Sequence, residues 1–208
     1  MNDRFITVVS GLPRSGTSLM MQMLAAGGRE VLTDKIRGAD ESNPRGYFEF
    51  EAVKKLRADQ SWLEQAHGKA VKIIHALVRE LPADGRFEYR VLLMKRPIEE
   101  VLASQRAMLA RSGKTSADEA TLKKIFQSQL GELERWLAAQ SHFSALTVEH
   151  RRLLESPLVV AGEINEFLGG TLDVQAMAAA VDPASRSRSK AGALRTPAAR
   201  SRWCRNLP

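Results

Sequence analysis

Residues Ile6 to Leu24 read ITVVSGLPRSGTSLMMQML, and no other stretch of the 208-residue chain restricts the fold so strongly. Phe5 to Ser10 is an apolar, β-branched run that stops at glycine, the pattern of a buried strand. Thr17 to Ala26 is rich in Leu, Met and Ala and ends at Gly27-Gly28, the pattern of a helix with a glycine stop. Between them lies a short turn with Gly11 and Gly16 at its ends. A strand that runs through such a turn into a helix leaves the first backbone N–H groups of that helix pointing outward. Together with the helix dipole they make a cradle for an anion.

The rest of the chain repeats the alternation. Ala70–His75 and Tyr89–Met94 read as further strands, Phe143–Val148 as a last one, and Glu30–Leu32 as a short additional one. Helical spacing covers Phe48–Ala66, with a break near Asp59. It returns over Ile98–Ala110, Ala117–Gln140 and Ser156–Leu168, the last stopped by Gly169-Gly170. Strands alternating with helices predict an α/β fold of three layers, a mainly parallel sheet flanked by helices on both faces. No internal repeat is present, and 208 residues suit one well-buried domain. That domain is expected over 1–182, followed by a basic tail, 183–208, whose Ser/Arg/Ala composition offers little to bury.

Gly11, Gly16 and Ser18 fall in register with the nucleotide-binding loop Gly-x4-Gly-Lys-Ser/Thr. Thr17 stands where that motif has lysine, and the nearest cation is Arg14. In ATP and GTP enzymes the lysine reaches the terminal phosphates, while Mg²⁺ is held by Ser/Thr and an acidic residue from another strand. The strand ends at His75 and Lys95 provide no such acid, so a triphosphate is poorly served. A donor with one bridging phosphate needs only the cradle and one cation.

The run Leu12-Pro-Arg-Ser-Gly-Thr-Ser18 resembles the 5′-phosphosulfate loop of sulfotransferases that use 3′-phosphoadenosine 5′-phosphosulfate (PAPS) and release adenosine 3′,5′-bisphosphate. The resemblance implies the nucleotide-binding, P-loop-like sulfotransferase fold and a donor site made by Arg14, Ser15, Gly16, Thr17 and Ser18. It also implies a second anion site, for the ribose 3′-phosphate. In "KRPIEEVLAS", Arg96 leaves a strand and Ser104 follows eight residues on, the spacing of the family's 3′-phosphate pair. Arginine suits this task because its planar fork binds phosphate through two N–H groups. The family's late Arg-Lys-Gly segment has no counterpart here. Arg186 and Arg188, in a basic run at a comparable position, are the candidate substitutes. The likeness extends more loosely through "LTVEHRRL" and spans roughly residues 6–182. No metal is expected.

Sulfuryl transfer also needs a proton acceptor. His75 ends the Ala70–His75 strand, where a comparable family strand ends in Lys-x-His; the spacing here, Lys72-Ile-Ile-His75, is one residue longer. Glu49 and Glu51, after the loop Asn43-Pro-Arg-Gly-Tyr47, are the rival candidates, as some carbohydrate sulfotransferases use glutamate. Arg45, Tyr47 and Phe48 lie beside them as candidates for acceptor recognition. The resemblance thus implies a transferase acting on a hydroxyl or amine of a small-molecule or carbohydrate-like acceptor. A diverged P-loop kinase, or a non-catalytic nucleotide-binding protein, is the alternative.

The net charge of +7 enters only now, because its distribution matters more than its size. Seven basic residues and no acidic ones lie in 183–208, so residues 1–182 balance at 24 basic and 24 acidic. The body has no basic stripe and the tail no aromatic besides Trp203, which argues against nucleic acid as the partner. No apolar run approaches the roughly 20 residues that span a bilayer, so no membrane is expected. Cys204 is the one cysteine, and the start of the chain lacks a signal-peptide layout. Both suit a cytoplasmic protein, and a homo-oligomer is compatible with all of this.

Overall fold

The structure is a computed structural model and describes residues 5–34, 46–111, 113 and 118–182. Arg45, Arg186, Arg188 and the rest of 183–208 lie outside them. Four strands form one sheet: β1 Phe5–Gly11, β2 Ala70–Lys72, β3 Glu88–Lys95 and β4 Phe143–Glu149. They stand in the order β2-β1-β3-β4, and every pair is parallel. The α-helices are α1 Thr17–Ala26, α2 Ile98–Arg111, α3 Glu119–Ala138, α4 His150–Glu155, α5 Pro157–Phe167 and α6 Val174–Ala179.

Side-chain alternation along the central strands produces the three layers. On one face Phe5, Val9, Leu92 and Met94 pack with Met20, Leu24, Val160, Ile164 and Met177 of α1, α5 and α6. On the other, Ile6, Val8, Tyr89, Val91 and Leu93 meet Val53, Leu56, Trp62 and Leu63, with Leu133 and Leu137 of α3. β1 is buried at all seven positions, so its apolar run marks a strand covered on both sides. A third cluster, Leu12, Val101, Leu102 and Phe126, anchors the turn after β1 against α2 and α3.

Three expectations change. Glu30–Leu32 contributes a single bridge, Val31 to Ala70, rather than a strand. The strand expected through His75 ends at Lys72, and His75 begins a 3₁₀ helix to Glu80. Phe48–Ala66 forms two 3₁₀ helices, Glu51–Lys55 and Ser61–Ala66. They part where Asp59 Oδ1 accepts from both Ser61 N–H and Ser61 Oγ, an Asx-type turn that competes with the helix.

The strand order places the site. From β1 the chain moves outward to β2, then crosses back to β3 on the other side and on to β4. The carboxyl ends of β1 and β3 therefore flank a point where connections diverge, the usual ligand crevice of an open parallel sheet. The turns after these two strands hold Arg14 and Arg96.

Candidate functional site at the carboxyl edge of the sheet

Two glycines shape the turn after β1. At Gly11, φ 151, a Cβ would lie 2.5 Å from Ser15 Oγ and 2.6 Å from the Met94 carbonyl oxygen. At Gly16, φ 105, it would lie 2.6 Å from His150 Cδ2. The turn is closed by Ser15 N–H donating to the Leu12 carbonyl at 3.1 Å. Ser15 Oγ is buried and has no hydrogen-bond partner. Such an orphaned hydroxyl beside a glycine-lined concavity fits an anion better than it fits a plain structural turn.

Arg14 adopts φ 69, a left-handed conformation that costs a non-glycine residue about 1 kcal/mol or more. Its Nε donates to Ser104 Oγ at 3.1 Å. Arg96 Nη1 donates to the Arg14 carbonyl at 3.2 Å, and Arg96 Nε to Glu100 Oε2 at 3.0 Å. The three residues expected to hold two different phosphates, Arg14, Arg96 and Ser104, are thus one connected network. A cleft of about 330 Å³ opens beside it, lined in part by Lys95, Arg96, Ile98, Gln127 and Glu149.

Thr17 and Ser18 start α1. Ser18 Oγ donates to the Tyr47 carbonyl at 3.4 Å, and Lys72 Nζ donates to the same oxygen. Lys72 Nζ also lies 3.7 Å from Glu49 Oε1. Phe48 has φ 52 and, with Arg14, is one of two described non-glycine residues at positive φ. Backbone strain is thereby confined to the turn with Arg14 and to the segment bearing Glu49, which Ser18 ties together. Glu51 pairs with Lys54 at 2.6 Å.

His75 sits elsewhere on this edge. Its Nε2 and Gln129 Oε1 are 2.8 Å apart, and its ring meets Phe126 edge-on at 6.4 Å. Its Nδ1 is buried without a partner.

His150 is a residue that sequence reasoning missed. It follows β4 directly and packs its ring edge on Gly16. The available signal was its position as a polar residue at the end of a strand parallel to β1. Burial lowers its pKa from 6.5 to about 4; the Arg96 cation pushes the same way and Glu100 opposes. The unfolded chain therefore binds the extra proton between about pH 6.5 and 4, and stability falls as pH drops through that window. The full effect is on the order of 3 kcal/mol. Urea unfolding at pH 7 and 4.5 is expected to show this loss, reduced in His150→Gln. Equal losses in both proteins would assign the acid sensitivity to other groups.

No protein-family model matches the sequence, and no curated protein matches it. Solved structures do match. The sulfotransferase domain of the Synechococcus olefin synthase superposes with a TM-score of 0.53 at 16% identity, covering 85% of this chain and 76% of that one. A sulfotransferase of Mycobacterium tuberculosis gives 0.52 at 15% identity, covering 91% and 77%. A Janibacter sugar kinase, at 15% identity over 78% and 92%, reaches 0.41, too distant to weigh. The chain has the sulfotransferase fold. Among the described residues no helix is long and apolar enough to cross a membrane, and no three His, Cys, Asp or Glu side chains group as metal ligands.

Proposed function

We propose that the chain transfers a sulfuryl group from PAPS to a hydroxyl or amine of a small acceptor. The observation that carries this reading is the Arg14–Ser104–Arg96 network across the crevice between β1 and β3, beside a glycine-lined turn with no P-loop lysine. The sulfotransferase fold supports it. β3, next to β1, ends in Lys95 and is followed by Arg96, cations where a kinase would need an acid for Mg²⁺.

When bound, the donor supplies an activated sulfur: the acceptor oxygen or nitrogen bonds to it, and the bond to the bridging phosphate oxygen breaks. Backbone N–H groups of the turn and the Thr17 and Ser18 hydroxyls hold the 5′ end. Arg14 neutralises charge on the leaving phosphate. Arg96 and Ser104 hold the 3′-phosphate. Glu49 accepts the acceptor's proton: its carboxylate is 24% exposed, fixed near Lys72, and linked through Tyr47 to Ser18. His75 is the weaker candidate, since one nitrogen is engaged and the other sealed.

Thermal unfolding with adenosine 3′,5′-bisphosphate against ATP and Mg²⁺ tests the donor class. At one hundred times its dissociation constant a ligand adds about 2.7 kcal/mol, here roughly 5–10 °C in Tm. Stabilisation by the bisphosphate alone is expected. Stabilisation by ATP and Mg²⁺ alone would make the protein a kinase, and stabilisation by neither would remove the nucleotide reading altogether.

A further inference from the structure

Glu100, in the first turn of α2, holds arginines from two other elements on its two carboxylate oxygens. Oε2 accepts from Arg96 Nε at 3.0 Å, and Oε1 accepts from Arg151 Nη2 at 2.9 Å. Arg96 follows β3 and Arg151 follows β4. These strands are parallel neighbours in register from Tyr89–Phe143 to Lys95–Glu149, so both arginines emerge on the edge that carries the glycine-lined turn. One carboxylate facing two guanidiniums leaves a surplus positive charge. As a stabilising device the arrangement is poor. The three side chains are 24%, 36% and 46% exposed, and ion pairs at such exposure contribute little.

Its geometry suits an anion better. Arg96 spends Nε on Glu100 and Nη1 on the Arg14 carbonyl, and Arg151 spends only Nη2. Among the described residues Arg96 Nη2 and Arg151 Nε and Nη1 bond to no protein atom. The start of α4 lies against the turn, because His150, the residue before Arg151, packs against Gly16. Two guanidiniums spaced by one carboxylate on a fixed backbone can grip one phosphate monoester from two sides, and bidentate arginine contacts give both charge and geometry.

We propose that Arg151 is a second arginine for the ribose 3′-phosphate, held beside Arg96 by Glu100, and so determines preference for a 3′-phosphorylated nucleotide. The inference rests on the sulfotransferase reading above and adds a residue to it. Arg151 lies in the described fold, so its contribution is independent of residues 183–208.

Calorimetric titration of the full chain with adenosine 3′,5′-bisphosphate and with adenosine 5′-monophosphate tests it. The native protein is expected to prefer the bisphosphate. Arg151→Gln is expected to weaken bisphosphate binding about tenfold, the size of one charged contact, and to change monophosphate binding less than twofold. Arg151→Lys should recover part of the loss. An unchanged bisphosphate affinity in Arg151→Gln overturns the proposal, as does an equal loss for both nucleotides. If the native protein itself fails to prefer the bisphosphate, the donor assignment falls and this inference with it. That failure shows in the native titration, before any variant is compared.

Discussion

Arg14→Ala is expected to lower kcat for sulfuryl transfer by about 10²–10³-fold, the usual loss when one preorganised group facing developing charge is removed. Three features fix the residue in place. Its backbone stands at φ 69, its carbonyl is gripped by Arg96, and its guanidinium reaches 90 residues along the chain to Ser104. Deleting the side chain removes the cation proposed for the leaving phosphate and frees the Ser104 hydroxyl. The left-handed backbone gains nothing from alanine. Arg14→Lys restores charge without the fork and should recover only part of the rate. The measurement is single-turnover release of adenosine 3′,5′-bisphosphate from radiolabelled PAPS, with a panel of phenol, sugar and amine acceptors. A fall of less than about tenfold, for a variant that still binds the bisphosphate, would place charge stabilisation elsewhere.

The second large effect separates the two candidate proton acceptors. Glu49→Gln keeps the shape and the hydrogen-bonding capacity beside Lys72 and removes the base. It is expected to lower kcat by about 10²–10⁴-fold while bisphosphate affinity stays within about twofold, since Lys72 and the Tyr47 carbonyl stand between Glu49 and Ser18. His75→Ala is expected to act on stability instead. Losing the buried imidazole removes its packing on Phe126, a cost of about 1–3 kcal/mol, with kcat changed less than about tenfold. The opposite pattern, a rate collapse in His75→Ala with Glu49→Gln nearly normal, would transfer the role to His75.

The site's first half was legible because its physics is local. A β-branched run, two glycines and a Leu/Met-rich run specify strand, turn and helix within about twenty residues, and α1 falls on Thr17–Ala26 as read. Arg96 and Ser104 were legible through helical spacing, since both belong to one strand–helix unit. Glu100 was equally open to such reading, four residues after Arg96 in the sequence, yet its second partner, Arg151, lies 51 residues away. No local pattern records that pairing. His75 was misplaced for a related reason. β1 pairs with β2 only as far as Val9–Lys72, so the apolar Ile73 and Ile74 continue the β pattern after strand pairing has stopped.

The sequence by itself determined the layers, the glycine-bounded turn after β1 and the helix that follows it, because backbone preference and hydrophobic periodicity act over a few residues. Tertiary structure decided the strand order β2-β1-β3-β4. That order sets β1 beside β3 and β3 beside β4, and so gathers Arg14, Arg96, Ser104, His150 and Arg151 on one edge. Those contacts join residues tens of positions apart, and their energies depend on which strands become neighbours, a choice made by burying both faces of the sheet at once.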